Sequence, residues 1–144
     1  MNPERMRAVA DAIEESGRFN YSAWGARLDI EDNRVYGCVS TSKELREDIG
    51  TLRKCGTTGC IAGWAATLAF EDETHALGKR NNAMISDVAQ KYLGLTDPQA
   101  FHLFHGEAMV KAGFYETNGE AMEKGTAVEA AKVLRMAADG EVVL

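Results

Sequence analysis

Apolar residues recur along this chain at helical spacing, and most of the recurrences are bracketed by residues that start or stop helices. Met6, Val9, Ala10 and Ile13 fall on one face behind Asn2, a suitable cap, and Pro3, which fits a first helical position; Ser16-Gly17 ends the run. Thr41-Ser42-Lys43-Glu44 has the form of a capping box, with Leu45, Ile49 and Leu52 as the stripe behind it. A third helix is predicted from near Thr58 to about Phe70. In a fourth, capped by Asn82, the residues Ile85, Val88, Ala89 and Tyr92 share a face, and Gly94-Leu95 supplies a Schellman stop. Thr96-Asp97-Pro98-Gln99 opens a fifth helix with another capping box, a body of Ala100, Phe101, Leu103 and Phe104, and Gly106 as its end. Thr126-Ala127-Val128-Glu129 opens the last long helix, whose Ala131, Leu134 and Ala138 face inward before Gly140. Between these two lies a short helix through Val110 and then a loop around Asn118-Gly119.

One β element fits the pattern. Leu28 and Ile30 alternate with polar residues, Asp32-Asn33 offers a turn, and Arg34 to Val39 offers a return strand. No repeat, low-complexity tract or linker interrupts the sequence. The expectation is a mainly α protein: a single compact helical domain over residues 1–144, with about five to six helices and at most a small β-hairpin.

Composition narrows the function classes. The protein has 144 residues, 45% of them apolar and 26% charged, which is ordinary for a globular domain. A net charge of −6 weighs against a protein whose main partner is a nucleic-acid backbone or an anionic membrane. Residues 84–105 spell helix, turn, helix, yet no Lys or Arg occurs from Tyr92 through Val110 to meet phosphates. The start, Met1 to Arg5, lacks the apolar core of a signal peptide, and the uncharged run from Cys55 to Phe70 is too short to span a bilayer. Three cysteines, Cys38, Cys55 and Cys60, cannot all pair within one molecule. A reducing cytoplasm with free thiols is the expected setting.

Chemistry concentrates in one segment, Lys54-Cys55-Gly56-Thr57-Thr58-Gly59-Cys60-Ile61-Ala62-Gly63-Trp64-Ala65. A loop of glycines and threonines leads into a helix of small residues. With a threonine as cap, Cys60 falls at the second or third helical position, where unpaired amides and the helix dipole favour a thiolate. The same amides favour a bound phosphate or carboxylate. Three readings follow. The loop can cradle an anionic small molecule such as a nucleotide, held by Gly56, Thr57, Thr58 and Gly59. Arg53 and Lys54 would then neutralise charge, and Trp24 or Trp64 would stack on a planar group. Cys60 can instead be the nucleophile of a hydrolase or transferase, with His75, His102 or His105 as candidate bases. Or Gly59, Ala62, Gly63 and Ala66 are small so that a helix can pack closely, with Cys55 and Cys60 as buried apolar residues. The set Cys55, Cys60, His102 and His105 has poor spacing for structural zinc, so no metal and no cofactor is expected. Phe19, Tyr21 and Trp24 form an aromatic cluster suited to a core or a pocket wall.

Phe19-Asn20-Tyr21-Ser22-Ala23-Trp24, the Cys55 to Ala65 segment, Leu93-Gly94-Leu95-Thr96-Asp97 and the closing stretch Ala127 to Val142 together resemble a family of small uncharacterised proteins encoded by bacteria and phages. The resemblance implies no established activity and assigns no catalytic residue. It does imply an accessory role, such as binding a nucleotide signal or blocking a host protein. The partner expected is therefore an anionic small molecule or a host protein.

Overall fold

A computed structural model describes residues 1–19, 26–29, 34–38, 57–58, 60–72 and 84–144. The protein is mainly helical. In sequence order the described elements are α1 (Pro3–Ser16), β1 (Ala26–Asp29), β2 (Arg34–Cys38), β3 (Thr57–Thr58), α2 (Ile61–Glu71), α3 (Ile85–Leu93), α4 (Asp97–Phe104), α5 (Glu107–Lys111), α6 (Asn118–Lys124) and α7 (Ala127–Ala138). The capping box at Thr41 with its stripe, the aromatic residues Tyr21 and Trp24, and the expected hairpin turn at Asp32-Asn33 lie outside the described residues.

Local chemistry sets most helix ends. Asn2 Oδ1 accepts from the Arg5 amide at 3.1 Å, and Gly17, at φ 65°, closes α1 with its amide on the Ile13 carbonyl. At the end of α3, Gly94 adopts φ 66°, its amide bonds Lys91 and the Leu95 amide bonds the Gln90 carbonyl at 2.9 Å, the two bonds of a Schellman motif. A Cβ at Gly94 would be strained at that φ and would also sit 3.5 Å from the Asn2 amide nitrogen, where the amino-terminal segment crosses. Helix α3 starts at Ile85 with Met84 at its cap and no side-chain bond there; Asn82, the expected cap, lies outside the described residues.

Helix α2 is the centre of the core. Ile61, Ala62, Ala65, Ala66 and Ala69 are wholly buried, and Thr67 is satisfied by donating to the Gly63 carbonyl at 2.8 Å. A helix apolar on every side needs partners all round, and its contacts with α1, α3 and α4 supply them. Its small residues let those neighbours approach.

Helix α1 packs along α7 and turns Met6, Val9, Ala10 and Ile13 inward. The ion pairs between them run in opposite sequence order, Arg7 to Asp139 and Arg135 to Asp11 and Glu14, so the two helices are antiparallel. In α7 the buried set is Ala130, Ala131, Val133, Leu134 and Ala137, with Ala138 only half-buried, so the inward face is rotated slightly from the expected one. In α4 the buried set is Ala100, Leu103 and Phe104; Phe101 points outward at 56% exposure, because it stands off the i, i+3, i+4 face that the other three share.

The short strands pair in the order β2-β1-β3, all antiparallel, with Leu28 opposite Val35 and Arg27 opposite Thr57. Thr57 and Thr58 are thus extended and belong to a strand edge. They do not cap α2, in contrast to the expectation that a helix begins near Thr58. β-branched residues favour that extended state, and the helix begins three residues later.

Candidate functional site

The start of α2 is closed by Cys60. This residue is the N-cap itself, with extended backbone (φ −77°, ψ 177°), and its Sγ accepts from the Gly63 amide at 3.4 Å. The backbone carbonyl of Cys60 accepts the first helical bond, from Trp64 at 3.0 Å. The expected position in the first helical turn is therefore corrected: Cys60 stands where a Ser or Asp usually stands, and its sulfur does the capping.

That change inverts the electrostatics. Cys60 is 2% exposed and surrounded by core residues. Burial is the largest influence and pushes the thiol up to about 11, while the amides of Gly63, Ala62 and Cys60 pull the other way without prevailing. At neutral pH only about one such thiol in ten thousand is ionised, since each pKa unit is a factor of ten. In the structure the thiol is thus neither exposed nor favoured as thiolate, which weighs against the nucleophile reading of Cys60. Ile61 and Ala62 are wholly buried and the Gly63 amide is committed to sulfur, whereas the loop expected to cradle an anion, residues 56–59, is described only at Thr57 and Thr58.

Trp64 is also committed. It is 7% exposed, and its indole N–H donates to the Arg18 carbonyl at 3.0 Å. Trp64 thus sits in the core and joins α2 to the segment leaving α1. The other proposed ligand residues, Arg53, Lys54, Gly56, Gly59 and Trp24, lie outside the described residues, as do Cys55 and His75.

The two remaining histidines have partners away from sulfur. Lys111 Nζ lies 3.0 Å from His102 Nδ1 and donates 3.2 Å to the Val143 carbonyl. The other ring nitrogen of His102, Nε2, faces the Glu107 carboxylate at 3.5 Å. The His105 ring lies 4.7 Å from the ring of Phe101. Among the described residues no group of three His, Cys, Asp or Glu side chains is placed to hold a metal ion.

What the described surface does offer is a corner where α4, α5 and the closing residues meet. Phe101 is 56% exposed, Val143 is 78% exposed, and the Lys111 linkage joins the residue beside Phe101 to the Val143 carbonyl. Sequence reasoning placed Phe101 in the body of this helix without separating it from the buried face; the signal was its place off the face of Ala100, Leu103 and Phe104. No helix among the described residues is long and apolar enough to cross a membrane. Comparison with known protein families, with curated proteins and with solved structures finds no match.

Proposed function

We propose that this protein works by non-covalent binding to a partner protein, through the exposed ring of Phe101 and the neighbouring His105. The observation that carries the reading is the exposed ring of Phe101, taken together with an α2 start at which the Cys60 sulfur is buried and already holds the Gly63 amide. An exposed aromatic ring backed by an imidazole is a suitable anchor for a partner's pocket. With a net charge of −6 the partner of choice carries an apolar pocket with a basic rim. The resemblance of the cysteine segment to bacterial and phage-encoded proteins supports a host protein as that partner, met in the cytoplasm.

The test has two arms. A thermal-shift panel of nucleotides and inorganic phosphate is expected to leave the melting temperature unchanged. A ligand at 100 times its dissociation constant would add about 2.7 kcal/mol, and a shift abolished by Arg53→Ala or Lys54→Ala would overturn the proposal in favour of the anion cradle. The second arm compares wild type with Phe101→Asp in cross-linking to proteins of the native host. A partner lost specifically in the variant, while its melting temperature is unchanged, supports the reading; identical cross-links with both proteins sink it.

A further inference from the structure

Asn118 and Gly119 are the first two residues of α6, where the sequence suggests a loop, and both are exposed. Thr117 caps the helix by accepting from the Glu120 amide at 3.2 Å. The Asn118 and Gly119 amides stand ahead of that bond, in the turn where a helix provides no carbonyl partner. Among the described residues the Gly119 N–H has no hydrogen-bond partner. Nothing bulky shields it, and a Cβ built there would meet only the Thr117 hydroxyl, at 3.9 Å. This is the one Asn-Gly dipeptide in the sequence.

We infer that Asn118 is a spontaneous deamidation site that changes the charge and the backbone at the start of α6. The Gly119 amide nitrogen gives its proton to solvent hydroxide and attacks the carboxamide carbon of Asn118. A new bond forms between that carbon and the Gly119 nitrogen. The bond from the same carbon to the carboxamide nitrogen breaks, and ammonia leaves with a proton from water. The cyclic imide then takes up one water. Opening at the former carboxamide carbon gives aspartate, and opening at the backbone carbonyl carbon gives isoaspartate. The helical torsion at Asn118 holds nucleophile and carbonyl apart, so reaction passes through opening of the first turn. That turn is weakly held: α6 has seven residues, one fully buried residue, Ala121, and a glycine at its second position.

The two products differ in consequence. Aspartate keeps the backbone and places a carboxylate where the helix dipole favours it. Isoaspartate reroutes the backbone through the β-carbon next to a close contact, since a Cβ on Gly106 would lie 3.3 Å from the Asn118 carbonyl oxygen and 3.1 Å from Ala121. The isoaspartate form therefore loosens α6 from Gly106.

The full-length protein is incubated at mildly alkaline pH and mapped by peptide mass spectrometry against an unincubated control. The expected result is a gain at Asn118 of the mass of water less that of ammonia, split into two chromatographic products. Thr117→Ala, which removes the cap, raises the rate severalfold; Gly119→Ala, which crowds the attacking nitrogen, lowers it severalfold. Asn2 precedes Pro3, which has no N–H, and serves as the internal control. Conversion of Asn118 no faster than that of Asn2, or equal rates in all three proteins, overturns the inference.

Discussion

The indole N–H of Trp64 donates to the backbone carbonyl of Arg18 across the glycine that ends α1. The bond holds the first turns of α2 against the segment leaving α1, so the tryptophan serves the core by its ring and the loop by its nitrogen. Trp64→Phe keeps most of the ring and strands the carbonyl, costing about 1–2 kcal/mol in urea unfolding. Trp64→Ala also empties core volume and costs about 3–5 kcal/mol. A Trp64→Phe protein as stable as wild type would show that the bond contributes nothing.

Cys60 makes a sharper prediction because its two roles separate. As a cap, it is replaced with little loss by Ser, whereas Cys60→Ala costs about 1 kcal/mol through the abandoned Gly63 amide. As a buried acid, it has a folded pKa of about 11, above its ordinary value of 9.0. The neutral thiol is the form the fold prefers, so its contribution is complete below pH 9 and is lost as pH rises through 11. Two pKa units correspond to about 2–3 kcal/mol. Stability measured against pH should fall across that window in wild type and fall less in Cys60→Ser. Native-state alkylation should likewise stay slow until the same window, and a midpoint near that of an ordinary thiol would contradict the burial.

Much of the helix pattern was legible because it rests on local chemistry. Asn2-Pro3, Gly94-Leu95 and Thr96 to Gln99 each carry their own start or stop signal, and each does so in the structure. The failures arise where a longer-range partner decides. Thr57 and Thr58 look like helix caps until strand β1 is available to pair with them. Cys60 looks activated at a helix start, but activation needs solvent, and the apolar faces of neighbouring helices remove it. The start of α6 is different, since Thr117-Asn118-Gly119-Glu120 is a capping pattern that the Asn-Gly turn signal obscured.

Arg135 spans the α1–α7 seam, reaching Asp11 at 2.8 Å and Glu14 at 2.5 Å. These carboxylates raise the guanidinium pKa, with Glu14 the larger influence, but the arginine is a third exposed and water screens the pairs. A double-mutant cycle of Arg135→Met with Glu14→Gln should give a coupling of about 0.2–1 kcal/mol that shrinks with added salt. The seam itself rests on Met6, Val9, Leu134 and Ala137, all fully buried. Met6→Ala should therefore cost more than both charge changes together, about 2–5 kcal/mol.

Tyr115 and Glu129 fasten the segment after α5 to the start of α7. The phenol donates to the Glu129 carboxylate at 2.7 Å, and the same oxygen accepts from the Thr126 amide at 3.0 Å and hydroxyl at 2.9 Å. Burial pushes the Glu129 pKa upward, but the bonds from Tyr115 and Thr126 outweigh it and the net direction is down. Its contribution is present above the ordinary glutamate range and disappears as pH falls through the depressed value. For Tyr115 the bond to Glu129 is the chief cause of a rise to about 12, from an ordinary 10.0. That contribution is complete below pH 10 and is lost as pH rises through 12. Glu129→Gln keeps an acceptor for the cap and removes the charge that opposes phenol ionisation. Its Tyr115 should therefore ionise closer to 10, visible near that pH as a rise in tyrosinate absorbance over wild type, above the signal that the other tyrosines give in both proteins. Tyr115→Phe should cost about 1 kcal/mol at neutral pH and abolish the absorbance difference that Glu129→Gln makes. If Glu129→Gln leaves the tyrosinate transition where it is in wild type, the phenol–carboxylate bond is not formed in solution.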